Sequence, residues 1–176
     1  MAIDLASFVR DVQDFPAPGI SFKDITPLLG DPVALQCALD GLAGPFVSDS
    51  APVVDKVAGI EARGFVLATP VAVRLRAGFI PIRKAGKLPF VVAGVNYGLE
   101  YGTDRIEIHT DAIAPGERVL IVDDVLATGG TAAAAVQLIQ GLGGVVVAAA
   151  FLIELTFLGG RSVLPPDIPV HALLTY

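Results

Sequence analysis

The stretch VLIVDDVLATGGT, Val119 to Thr131, runs four apolar residues into two adjacent carboxylates and then into a loop of small residues with two glycines. Val119 to Val122 are β-branched or aliphatic, and Pro115-Gly116 supplies a turn upstream. A short continuous apolar run of this kind predicts a buried strand, parallel and covered on both faces. Asp123 and Asp124 are expected to end it, pointing to opposite faces rather than side by side. TAAAAVQLIQ then predicts a helix, with Gly141 and Gly143 available to stop it. The unit is strand, acidic edge, glycine loop, helix.

Such a loop aims backbone N–H groups into one concavity. The helix N-terminus adds partial positive charge, and Thr128 and Thr131 add hydroxyl donors. Ala127 to Thr131 therefore suit a phosphate, and the neighbouring carboxylates suit hydroxyl groups; together they fit a sugar phosphate. The bland alternative is a plain strand–turn–helix with a solvated acidic turn. The loop lacks the Gly-Lys-Ser/Thr of a nucleoside-triphosphate site and the G-x-G-x-x-G of a dinucleotide fold.

Outward from this unit, 176 residues make one ordinary domain, and a 53% hydrophobic composition gives ample core. The net charge of −6 argues against a nucleic-acid surface. A single cysteine, Cys37, excludes an internal disulfide and fits a reducing compartment. The first 15 residues lack a long apolar core and do not read as a secretory signal. The run from Gly141 to Ile153 is too short to span a bilayer. The expectation is a soluble cytoplasmic protein.

Residues 3–13 predict an amphipathic helix, and the Pro- and Gly-dense segment after Phe15 predicts irregular structure. Asp31-Pro32 caps and starts a helix that ends near Gly44-Pro45. DKVAGI predicts a strand, Phe65 to Arg76 a helix closed by Gly78, and FIPIR a strand. Residues 84–102, with Gly86, Gly94, Gly98 and Gly102, read as a long flexible loop or as a hairpin hanging off the core. RIEIHT reads as an edge strand of alternating polarity, VVVAAAFLI as a buried one, and PVHALLTY closes the chain. Strands alternating with helices predict an α/β fold with a mainly parallel twisted sheet flanked by helices. Ligands in such sheets lie beyond the carboxyl ends of the strands, so Glu61 to Arg63, Arg83 to Lys87 and Asp123 to Thr131 fall on one rim. His109 and His171 read as structural strand residues, Cys37 as an inert core thiol, and Tyr97 stays ambiguous.

Five segments, FPAPGISFKDITPLL, GIEARGF, IRKAGKLP, YGLEYGTDRIEIH and VLIVDDVLATGGT, resemble the type I phosphoribosyltransferases. Their order and approximate spacing resemble the adenine phosphoribosyltransferases in particular. Lys23 stands where arginine is the commoner residue in that pattern, and FVVAGVNYG is more apolar than the pattern suggests. The resemblance implies transfer of adenine to phosphoribosyl pyrophosphate (PRPP), giving AMP and pyrophosphate, with inversion at the sugar carbon. It implies an N-terminal hood segment at about 15–30, a closing loop at about 84–102, a homodimer, and no nucleic-acid or membrane partner.

Residue by residue, the resemblance implies that Ala127, Thr128, Gly129, Gly130 and Thr131 hold the 5-phosphate. Asp123 and Asp124 face the ribose hydroxyls, one of them near the developing positive charge. Arg63 meets the pyrophosphate, and Arg83, Lys84 and Lys87 add positive charge, partly across the dimer interface. Glu100 and Tyr101 sit in the closing loop. Phe22 stacks on the base, and the backbone around Ser21 to Lys23 reads its edge. Mg²⁺ is carried by the PRPP oxygens and water, with no direct protein ligand and a water-mediated link to Asp123 or Asp124 at most. A cis peptide at Glu61–Ala62 is also implied. Two other readings stay open: a phosphoribosyltransferase for another base such as xanthine, and a regulator that binds PRPP without catalysis.

Overall fold

The computed structural model describes residues 3–48, 53–99 and 102–176. The chain falls into two compact units, one through Gly41 and one from Leu42.

In the N-terminal unit a short 3-10 turn, Leu5–Phe8, precedes β1 (Arg10–Gln13). The helix expected over residues 3–13 is thus replaced by a turn and a strand. The apolar spacing is helical, but the backbone pairs instead: β1 runs antiparallel to β2 (Ser21–Asp24), with Val12 opposite Phe22. The segment expected to be irregular therefore holds β2 and then α1 (Thr26–Gly30). Asp24 accepts from the Thr26 N–H at 2.9 Å and so caps that turn. Asp31 caps α2 (Pro32–Ala43) as its sequence predicts, accepting from the Val33 and Ala34 N–H groups at 2.9 and 2.8 Å. Cys37, on this helix, is half-buried rather than a core thiol.

The second unit is built on a seven-stranded sheet. Its strands are β3 (Lys56–Ile60), β4 (Gly78–Lys84), β5 (Val92–Leu99), β6 (Gly102–His109), β7 (Arg118–Leu126), β8 (Val145–Glu154) and β9 (Val170–Thr175). The order across the sheet is β5-β6-β4-β3-β7-β8-β9. β4, β3, β7, β8 and β9 are parallel; β6 and β5 join as an antiparallel extension. Of the two readings of residues 84–102, the hairpin holds: β5 pairs with β6 along its length and completes the sheet edge. β6 is consequently not an edge strand, and its polar face is occupied by ion pairs such as Arg105 Nε with Glu107 Oε1 at 3.0 Å.

Helix α3 (Arg63–Leu75) crosses from β3 to β4, and α4 (Gly130–Gly141) crosses from β7 to β8. The helices cover opposite faces. Ala58, Ile60, Ile121 and Phe151 point into one buried cluster with Ala135 and Ile139 of α4. Gly59, on the alternate face, meets α3: a Cβ there would lie 2.7 Å from that of Ala68. α3 stops at Arg76, which takes the left-handed conformation (φ 55°), rather than at Gly78.

Because β3 leads to one side of the sheet and β7 to the other, the connections diverge between these two strands. That divergence opens a crevice at their carboxyl ends.

Candidate active site

β7 is buried as expected; Val119 to Val122 are fully inaccessible. The strand does not end at the carboxylates, however. Its pairing with β3 stops at Gly59–Val122, while its pairing with β8 continues to Leu126–Glu154. Asp123 and Asp124 therefore stand where one neighbour has departed and the other persists. The sheet opens beside them, which is why charge is tolerated on a strand interior.

Each carboxylate has its own surroundings. Asp123 Oδ1 accepts from the Asp124 N–H at 2.9 Å. The start of α3 presses against it: a Cβ on Gly64 would lie 2.7 Å from that oxygen and 3.1 Å from the Val122 carbonyl oxygen. Only glycine permits this approach. Asp124 is 5% exposed. Its Oδ2 lies 2.6 Å from Arg63 Nε, an ion pair lacking the alignment of a hydrogen bond, so that oxygen receives no donor. Burial raises the pKa of Asp123, and the neighbouring Asp124 charge raises it further. Burial also raises Asp124, against the opposing pull of Arg63. Two carboxylates that resist ionisation together favour positive charge or hydroxyl donors beside them.

Directly after Leu126 the chain turns through Ala127 to Gly129, and α4 begins at Gly130. Gly129 adopts φ 82°, the left-handed conformation that the turn requires. α4 has no acidic residue in its first turn. Asp123, Leu126, Phe151 and the loop itself line one concavity. The loop, its hydroxyls and the helix N-terminus thus offer donors that can take an anion beside the acidic edge.

The expected cations divide into two groups. Arg63, at the start of α3, reaches the acidic edge, and the Glu61–Ala62 peptide before it is cis, as the resemblance implied. Arg83 and Lys84 are instead engaged by acids of their own sheet. Arg83 Nε donates to Glu61 Oε2 at 3.1 Å and its Nη1 to the Lys87 carbonyl at 3.0 Å. Lys84 Nζ lies 3.2 Å from Asp104 Oδ2, and its backbone N–H donates to Glu61 at 3.0 Å. Lys87 is exposed in the turn beyond β4. Glu61 is held below its ordinary carboxylate range: burial works the other way, but the Lys84 N–H and Arg83 outweigh it. Phe22 and Lys23 lie in the N-terminal unit. Phe22 is half-buried, its ring edge-on to Phe15 at 5.2 Å, and Lys23 is paired with Asp11. Glu100 and Tyr101 lie outside the described residues.

Tyr97 belongs with the loop, although its spacing did not decide it. Its hydroxyl donates to Asp104 Oδ2 at 3.2 Å, and its ring sits where a Cβ on Gly130 would meet it at 3.6 Å; burial is the main cause of its raised pKa. His109 accepts from the Phe90 N–H at 3.4 Å, a structural use of the ring.

The family model of the phosphoribosyl transferase domain matches residues 46–172. An adenine phosphoribosyltransferase of Thermobifida fusca is 58% identical over 96% of this chain and 93% of its own length. One from a Cyanothece species is 58% identical over 99% of this chain and 100% of its own. Among solved structures, the adenine phosphoribosyltransferase of Rhodothermus marinus superposes with a TM-score of 0.92 at 55% identity, over 98% of this chain and 96% of that one. That of Saccharomyces cerevisiae, complexed with an imino-altritol bisphosphate and adenine, gives 0.88 at 39% identity, over 96% of each chain. With the Asp123–Asp124 pair and the glycine loop at the crevice of this sheet, and with relatives this similar over nearly the whole length, the chain belongs to the adenine phosphoribosyltransferase family.

Proposed function

We propose that the chain joins adenine to the ribosyl carbon of PRPP, releasing pyrophosphate and forming AMP. The carbon–oxygen bond to pyrophosphate breaks, a ring nitrogen of adenine bonds to the opposite face of that carbon, and adenine gives up the proton on that nitrogen. Positive charge develops on the sugar and negative charge on the leaving group, so the work is positioning and electrostatics. The observation that carries this reading is the juxtaposition at one crevice of the Asp123–Asp124 edge, the Ala127–Thr131 loop and Arg63, 2.6 Å from Asp124.

In this reading the loop N–H groups and the Thr128 and Thr131 hydroxyls hold the 5-phosphate. Asp123 and Asp124 accept from the ribose hydroxyls and face the developing cation. Arg63 turns from Asp124 to the pyrophosphate when the substrate arrives, a like-for-like exchange of one oxyanion for another. Arg83, Lys84 and Lys87 add to the positive rim, and Glu100 and Tyr101 close over the substrate. Phe22 and the Ser21–Lys23 backbone take the base. The yeast relative, solved with adenine and an imino-altritol bisphosphate, supports a base subsite and a phosphate subsite.

Mg²⁺ fits the donor set, since Asp123 and Asp124 offer hard oxygen and Asp124 Oδ2 lacks a hydrogen-bond donor. Bound with PRPP, it would neutralise pyrophosphate charge, with Asp123 or Asp124 orienting its water shell. The enzyme works as a homodimer in the cytoplasm. The low cysteine content suits that compartment, and among the described residues no helix is long and apolar enough to cross a membrane.

The test is steady-state kinetics with PRPP, Mg²⁺ and a panel of adenine, hypoxanthine, guanine and xanthine. Adenine should be used far better than the rest. Preference for xanthine would move the assignment to another base, and PRPP binding without turnover on any base would favour a sensor.

A further inference from the structure

The segment after β8 carries no recognised motif, yet it abuts the back of the anion loop. Gly160 is buried, and its backbone lies against Ala127 and Gly129. A Cβ on Gly160 would fall 2.1 Å from the Ala127 carbonyl oxygen and 2.9 Å from the Gly129 nitrogen. A Cβ on Gly129 would fall 2.3 Å from the Gly160 carbonyl oxygen. The two backbones thus touch with no side chain between them, and neither can move toward the other.

What fixes Gly160 is the next residue. Arg161 Nε donates to Glu154 Oε1 at 2.9 Å, its Nη2 donates to Glu154 Oε2, and its Nη1 donates to the Val170 carbonyl at 2.9 Å. Glu154 is 6% exposed and ends β8, in register with Leu126, the residue before the loop. The Leu155 N–H donates to the Leu126 carbonyl at 2.9 Å, tying the two strand ends together. The guanidinium fork therefore spans the end of β8 and the start of β9, and holds the intervening turn against the loop.

We infer that Glu154, Arg161 and Gly160 are positioning residues for the 5-phosphate, setting the depth and direction of the Ala127–Thr131 N–H groups from behind. This rests on the reading of that loop as the 5-phosphate site. A small displacement of such donors is costly, because the phosphate is the anchor that places the sugar carbon.

The test compares Gly160→Ala, Arg161→Ala, Arg161→Lys and Glu154→Gln with the parent chain. KM for PRPP, KM for adenine and kcat are measured, together with calorimetric binding of ribose 5-phosphate. Gly160→Ala and Arg161→Ala should weaken ribose 5-phosphate binding and raise KM for PRPP by about 10- to 100-fold, with KM for adenine moved less than about twofold. Arg161→Lys should recover part of the loss, since it keeps the charge but not the fork. Should Gly160→Ala fail to fold, Glu154→Gln, which keeps the side chain's shape, carries the same expectation in weaker form. Equal changes in both KM values, or none in KM for PRPP, would overturn the inference while leaving the site intact. A parent chain that forms AMP but does not bind ribose 5-phosphate would overturn the loop assignment, and this inference with it.

Discussion

Asp123→Asn removes one charge and keeps the shape of the side chain. The amide oxygen can still accept from the Asp124 N–H, now at 2.9 Å, so the local backbone keeps its hydrogen bond. In the unliganded protein the Asp123 carboxylate is unfavourable, first because it is desolvated and then because Asp124 lies beside it. Its folded pKa is raised, so between the unfolded value near 3.8 and the folded one the native chain binds more protons than the unfolded chain. Stability contributed by this group is present at low pH and declines as pH rises through that window. The variant lacks that decline and should be at least as stable as the parent at neutral pH. Catalysis should move the opposite way. A preorganised charge facing a developing charge is worth about 2.7–4 kcal/mol, so kcat should fall about 10²–10³-fold. Denaturant unfolding at several pH values and steady-state kinetics with saturating PRPP read the two effects separately. Turnover within about threefold of the parent, a barrier change below about 0.7 kcal/mol, would refute the electrostatic role. A neutral-pH loss above about 1 kcal/mol would refute the account of the carboxylate's surroundings.

Arg63→Gln should raise KM for PRPP and leave KM for adenine nearly unchanged. It should also cost about 1–2 kcal/mol of stability in urea unfolding at neutral pH, because the buried Asp124 loses its counter-ion while Arg63 itself is 41% exposed. Hypoxanthine should be used about 10⁴-fold less efficiently than adenine, since its edge reverses both hydrogen-bond polarities. Lys23→Ala should leave the ranking of bases unchanged in the same competition assay, as the proposed reading of the base by the Ser21–Lys23 backbone requires. Glu154→Gln should lower stability at neutral pH and converge with the parent in acid. The Arg161 hydrogen bond depresses the Glu154 pKa, so its contribution is present above the unfolded value near 4.5 and lost as pH falls through the folded one.

The parallel core was legible because buried strands announce themselves as apolar runs, and β7, β8 and the crossing helix α4 follow directly from Val119 onward. The glycine loop was legible as a candidate anion site for a local reason: glycines and hydroxyls at a helix start can turn several donors into one concavity. The continuation of β7 past Asp123 was not legible, because it depends on which neighbour persists, and β8 lies some twenty residues further on. Residues 3–13 show helical spacing, yet the strand pairing of Arg10 with Asp24 prevails over it. RIEIHT alternates as an edge strand does, but β5 covers it, and the polar face is filled by Arg105 with Glu107. Gly160 and Arg161 were invisible for a similar reason. A glycine that permits a close approach looks like any other until the approaching backbone, some thirty residues earlier in the chain, is in place.

Where a nucleotide's phosphate binds tests the assignment of the Ala127–Thr131 loop most directly. A crystal structure of this chain with AMP should place the 5-phosphate on the N–H groups of Ala127 to Thr131 at the start of α4, with the ribose hydroxyls toward Asp123 and Asp124. A phosphate bound elsewhere, with that loop and the acidic edge left to solvent, would contradict it.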